Sequence, residues 1–239
     1  MDEVRSQFVK MLLKKGALRI AKSTEEMFVL KSGRKSPHFV NMGGLTDGES
    51  LNAIKTAYAG AAARMLKDGE IEPFEYVFGP AYKGISLGAL TCEGLQDIYG
   101  INTHFMYDRK EEKDYGDKSS DKLIVGGKSF IQGGRILIID DVITTGGTKL
   151  EVFDKLRKLG EHKIVGILVA IDREERMGDA GNVDEKSASQ IIKEKYGIGV
   201  HSIGKISDVF PLVEKDISPE IRTAWLEYAE KYTGATKLI

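Results

Sequence analysis

The chain has 239 residues, of which 41% are hydrophobic and 30% charged, with a formal net charge of −1. That length suits a single α/β unit or a core with a small accessory lobe, and the balanced charge gives nucleic acid or an anionic membrane no global attraction. The lone cysteine, Cys92, excludes an internal disulfide and a cysteine-based zinc site.

From the N-terminus, Phe8, Met11, Leu12 and Leu18 predict an amphipathic helix. Residues Lys31 to Pro37 read as a turn between short strands, Met27–Leu30 and His38–Asn41. Leu51, Ile54, Tyr58, Ala61, Ala62 and Met65 recur at helical spacing, with Gly69 as the stop. Glu75–Phe78 is a strand ended by Gly79-Pro80, and a helix follows over Gly84–Leu95, with Cys92 as a small core residue. Ile101–Tyr107 is the next strand. The polar run from Asp108 to Ser120 has no apolar periodicity, so a mobile surface loop is expected, and long loops in compact domains often serve as lids. Ile136–Ile139 is a strand, followed by a helix from about Gly147 to Leu159. The nearly unbroken apolar run Ile164–Ile171 suits a strand covered on both faces. Val183–Tyr196 reads as a helix, Val200–Ile203 as a strand and Ser218–Tyr232 as a final helix. Alternating β and α units predict an α/β fold with a mainly parallel central sheet and helices on both faces. No apolar run approaches the roughly 18 residues of a membrane span. Charges interrupt the apolar positions from Met1 to Ala21, so no signal-peptide core is present. A cytoplasmic protein is expected.

The most informative segment is Ile136-Leu137-Ile138-Ile139-Asp140-Asp141-Val142-Ile143-Thr144-Thr145-Gly146-Gly147-Thr148. A buried strand ends in two carboxylates, and a Thr/Gly loop leads into a helix. Ligands of open parallel sheets bind outside the carboxyl ends of the strands, and a Gly-rich turn entering a helix offers free N–H groups to a phosphate. The carboxylates repel that phosphate but suit its sugar hydroxyls or an accompanying Mg²⁺. The segment resembles the signature of the type I phosphoribosyltransferases. Three further blocks narrow the resemblance to the orotate phosphoribosyltransferase family: Leu30 to Phe39, Phe78 to Ile85 and Asp108 to Asp114. Ile171 to Arg176 completes the order, and the likeness weakens beyond Met177, where Gly178 to Ser189 is polar.

That resemblance implies the type I fold in a single domain over 1–239, with a small hood lobe from about 1–45 and a core from about 46–239. It implies transfer of ribose 5-phosphate from phosphoribosyl pyrophosphate (PRPP) to N1 of orotate, in pyrimidine (UMP) biosynthesis. Thr144, Thr145, Gly146, Gly147 and Thr148 would take the 5-phosphate of PRPP, with Val142 and Ile143 also in the PRPP site. Asp140 and Asp141 would meet the ribose hydroxyls, and Tyr82 and Lys83 the pyrophosphate. Arg109, Lys110, Lys113 and Tyr115 would come from the lid, which in the family closes over the neighbouring subunit of a homodimer. Lys31 would reach the reacting centre, while Phe39, Val40, Thr144 and Arg173 would line the orotate pocket. Lys31, Arg109, Lys110, Lys113, Asp140 and Asp141 are the expected catalytic group. Mg²⁺ would be held mainly by PRPP and water near the two aspartates, without a dense protein cluster. Tyr115 stands where the family often has histidine; it can donate a hydrogen bond but carries no positive charge at neutral pH. Two other readings remain at this point. A transferase for another nucleobase would differ around Lys31, Phe39 and Arg173. A non-catalytic PRPP-sensing regulator would be expected to carry a nucleic-acid-binding domain or a basic face.

Overall fold

The computed structural model describes residues 3–109, 123–143 and 147–233, the side chains of 147–150 excepted. Helix α1 (Glu3–Lys14) buries Phe8, Val9 and Leu12. It ends short of Leu18, because Gly16 turns the chain at φ 70° and Leu18 opens strand β1 (Leu18–Ile20). Strands β2 (Phe28–Val29) and β3 (Lys35–Ser36) form a hairpin, so the turn expected over Lys31 to Pro37 is shorter and partly strand. Strand β4 (His38–Val40) pairs antiparallel with β1, Leu18 opposite Val40.

Helix α2 (Gly48–Lys67) starts at Asp47, whose carboxylate accepts the Ser50 N–H. Strand β5 (Tyr76–Gly79) leads into α3 (Lys83–Tyr99), which outlasts the expected Gly84–Leu95 and stops at left-handed Gly100. Then come β6 (His104–Asp108), β7 (Ile124–Val125), β8 (Gly134–Val142), α4 (Gly147–Arg157) and β9 (His162–Asp172). The expected helix over Val183–Tyr196 is corrected. Residues Val183–Ser187 are strand β11, paired antiparallel with β10 (Arg176–Gly178), and only Ala188–Tyr196 is helix α5. Strand β12 (Val200–Lys205), helix α6 (Ile206–Val213) and helix α7 (Pro219–Tyr232) follow.

The six-stranded central sheet has the order β12-β9-β8-β5-β6-β7, parallel except for the β6–β7 pair. Its strands send alternate side chains to opposite faces. Val77, Leu137, Ile139, Leu168 and Ala170 join one apolar cluster with α1, α2, α6 and Trp225. Tyr76, Phe78, Ile136, Ile138, Ile167 and Val169 join the other, under α4 and α5. Helices therefore cover both faces, as expected of this strand pattern. Cys92 is half-buried against the first cluster, its thiol donating to the Thr103 carbonyl at 3.2 Å. No helix among the described residues is long and apolar enough to cross a membrane.

Candidate active site

The carboxyl ends of β5, β6, β8 and β9 meet at one edge of the sheet. Strand β8 runs on to Val142, so Asp140 and Asp141 lie in its last residues and inherit its alternation. Asp141 belongs to the α2/α3 face. Its Oδ2 accepts from Lys83 Nζ at 2.7 Å, with the carboxylate 9% exposed and the lysine 52%. Its Oδ1 accepts the Val142 N–H at 2.9 Å. Asp140 follows on the opposite face, and its Oδ1 accepts the Asp141 N–H at 2.9 Å. Tyr58 donates to the Asp140 carbonyl at 2.8 Å. Burial first, then the charges of Asp141 and Asp140, push that phenol well above its ordinary pKa, so the proton stays on the donor.

The β5–α3 turn carries Tyr82, which is 73% exposed, and Lys83 at the helix start. Glycine is required at its base: a Cβ on Gly84 would sit 2.6 Å from Pro80 Cδ and 2.9 Å from the Ile139 carbonyl oxygen. Beside the turn is Asp108, a residue that the sequence placed only at the root of a loop. Its carboxylate is 4% exposed, accepts the Ala81 N–H at 2.6 Å and pairs with Lys155 of α4 at 2.5 Å. Lys155 also donates to the Arg109 carbonyl at 2.9 Å. The signal that could have marked Asp108 is an acid closing a strand at the ligand edge of the sheet. Arg109 donates its N–H to the Leu123 carbonyl at 2.7 Å, and its buried Nε has no partner among the described residues.

On the other side, Arg173 follows the end of β9 and is 14% exposed, so it is not a solvent-facing charge. It pairs with Glu175, and its buried Nε has no hydrogen-bond partner among the described residues. Lys31 is exposed in the β2–β3 turn. Phe39 is half-buried and stacks on Phe28 at 5.5 Å, with Arg19 5.1 Å and 5.2 Å from the two ring centres. Val40 is buried in the core beside them. Fully buried His38 packs on Trp225 at 4.9 Å.

Half-buried Val142 and buried Ile143 lead out of β8 toward the Thr/Gly loop. Lys110, Lys113, Tyr115, Thr144, Thr145 and Gly146 lie outside the described residues, and Gly147 and Thr148 are described only as the backbone opening α4. Among the described residues, no group of three or more His, Cys, Asp and Glu gathers to hold a metal. The edge therefore joins two carboxylates and a lysine to a turn entering a helix, with a mostly buried arginine just past the end of the adjacent strand. Such a set suits a ligand carrying both hydroxyls and anionic groups.

Residues 48–199 match the model of the phosphoribosyl transferase domain. An orotate phosphoribosyltransferase of Ralstonia pickettii is 36% identical over 234 residues, covering 97% of this chain and 96% of its own. One from Kluyveromyces lactis is 34% identical over 235 residues, again 97% and 96%. The crystal structure of an orotate phosphoribosyltransferase from Francisella tularensis superimposes with a TM-score of 0.77 at 28% identity, covering 95% of this chain and 100% of that one.

Proposed function

This chain belongs to the orotate phosphoribosyltransferase family, and from that premise we infer how its site performs the family's reaction. The enzyme transfers ribose 5-phosphate from PRPP to N1 of orotate, giving orotidine 5-monophosphate and pyrophosphate in pyrimidine biosynthesis. The C1–O bond to pyrophosphate breaks, the C1–N1 bond forms and N1 gives up its proton. Substitution at an anomeric carbon passes through an oxocarbenium-like state, so catalysis consists of placing charge where charge develops. Neither a transferase for another base nor a PRPP-sensing regulator is favoured by these relatives.

The assignment of roles is our proposal, and the observation that carries it is the Asp140–Asp141 pair at the ligand edge with Lys83 on Asp141. Asp140 and Asp141 hold the ribose hydroxyls, Tyr82 and Lys83 the pyrophosphate, and the Thr144-to-Thr148 loop the 5-phosphate, with Val142 and Ile143 leading into it. Lys31, Phe39, Val40, Thr144 and Arg173 surround orotate, the Arg173 fork matching a carboxylate or an imide edge. Hard carboxylate oxygens fit Mg²⁺, which keeps water and substrate oxygens as ligands. When bound there it neutralises charge on the pyrophosphate. Asp140 and Asp141 would hold it from the protein side. We further propose a cytoplasmic homodimer in which Arg109, Lys110, Lys113 and Tyr115 reach the partner's site, with hood and core acting as one unit. Orotate consumption with PRPP and Mg²⁺, followed beside adenine, hypoxanthine, xanthine and uracil, tests the base. Orotate should exceed uracil by orders of magnitude, because a site built for a carboxylate is left with unpaired groups without it. Equal turnover of the two would reject the base assignment.

A further inference from the structure

The side of the site away from PRPP is braced by one carboxylate that no role above uses. Glu175 Oε1 accepts from both Arg173 Nη2 and the Tyr228 hydroxyl, the latter at 2.7 Å. Its Oε2 lies 3.7 Å from Arg34 Nη1. Arg34 is 1% exposed and spends its remaining donors on main-chain carbonyls of the β10–β11 hairpin: Arg176 at 2.8 Å, Met177 at 2.9 Å and Asp179 at 3.3 Å. Its guanidinium also lies 4.7 Å from the Tyr232 ring centre. A second tie joins the Lys31 turn to the hairpin, where the Ala180 N–H donates to the Ser32 carbonyl at 3.2 Å.

A buried guanidinium needs a counter-charge and a full set of acceptors. Here one carboxylate, Glu175, pairs with both Arg34 and Arg173, and Arg34 also has the charge of Asp179 near it. Among the described residues the Arg173 Nε lacks an acceptor. An incoming carboxylate supplies that acceptor and a second counter-charge for Arg173. Tyr228 holds Glu175 from α7 and Arg34 holds it from the β2–β3 turn, so Arg173 is aimed before any ligand arrives, which reduces the ordering cost of binding.

We propose, resting on the placement of Arg173 beside orotate given above, that Glu175 is a positioning residue for the base, held by Tyr228 and Arg34. It acts through Arg173 and does not touch PRPP. The hairpin and α7 thereby become part of base recognition.

Steady-state kinetics with each substrate varied against saturation of the other tests this. Glu175→Gln should raise the KM for orotate by roughly tenfold, with the KM for PRPP changed less than about twofold. Glu175→Asp should recover part of the loss. Tyr228→Phe should raise the orotate KM by about threefold, and the double variant should fall short of the product of the two effects, because both act through one bond set. Tyr228→Phe carries the test alone if Glu175→Gln does not fold. Equal rises in both KM values, a fall in kcat with the orotate KM unchanged, or independent effects of the two substitutions would overturn the proposal. Arg173→Gln separates the two levels. If it raises the orotate KM and Glu175→Gln and Tyr228→Phe do not, positioning fails and the base site stands; if Arg173→Gln leaves it unchanged, both fail.

Discussion

At the residue scale, two adjacent aspartates do unlike work because a strand sends neighbours to opposite faces. Asp141 is the more buried and anchors Lys83, so Asp141→Asn loses a carboxylate and releases a cation at once. It should lower kcat/KM by on the order of 100-fold, the size associated with one preorganised electrostatic partner, with the melting temperature nearly kept. An unchanged rate would rule out the role given to Asp141. His38 makes a different prediction. Burial, and then the charge of Arg173, hold its imidazole well below the ordinary 6.5. Below about pH 6.5 the unfolded chain takes up a proton that the folded chain refuses, so stability is full above that pH and falls as pH drops through it. The contribution is at most about 1.4 kcal/mol per pH unit. Urea unfolding of wild type and His38→Gln from about pH 7 down to about pH 5 reads it. The variant should show the shallower loss, and identical slopes would place the His38 pKa near its ordinary value.

At the element scale, the PRPP side depends on one carboxylate joining three segments. Asp108 ties the β5–α3 turn to α4 through Lys155, and Lys155 ties α4 to the residue leaving β6. Asp108→Asn keeps the shape but leaves Lys155 without its charge partner. The KM for PRPP should rise several-fold while that for orotate changes little; the reverse pattern would detach Asp108 from the pyrophosphate side. Elements whose sequence pattern follows from local physics were legible. The unbroken apolar runs of β8 and β9 marked both as strands covered on two faces. Val183–Ser187 was not, because Glu185 and Lys186 read as helix formers and its strand character comes from pairing with Arg176 and Gly178. The Ser187…Gln190 capping box marks the true helix start and was present in the sequence. Helix α6 was missed because Pro211 lies inside it. Arg173 was legible only through resemblance, and Asp108 and Glu175 only through contacts between residues far apart in the chain.

At the scale of the whole molecule, sharing of sites between two subunits can be tested by complementation. Lys113→Ala and Asp141→Asn chains, each inactive alone, are dissociated and re-paired at random. If each lid serves the partner's site, hybrids contain one site with both defects and one with none, and activity returns to roughly a quarter of wild type for a closed two-fold dimer with independent sites. Verified hybrids without recovery would mean that each lid serves its own chain. The orotate reaction would be unaffected by that outcome.

The first helix rests on the last strand of the sheet. A Cβ on Gly204 of β12 would come within 2.9 Å of Val9 Cγ2, and Phe8, Val9 and Leu12 share a cluster with Ile203, Ile206, Phe210 and Trp225. During synthesis, then, α1 leaves the ribosome well before β12, α6 and α7, which complete its packing. Contacts so distant along the chain carry a heavy loop-closure cost and form late. Nascent chains arrested just after Gly199 should leave α1 open to protease, and chains extended past Tyr232 and clear of the exit tunnel should protect it. Protection already complete at Gly199 would show that α1 is held by α2 and β1 alone. Until the final strand and helices emerge, Phe8, Val9 and Leu12 form an exposed apolar stripe, the kind of surface that chaperones bind.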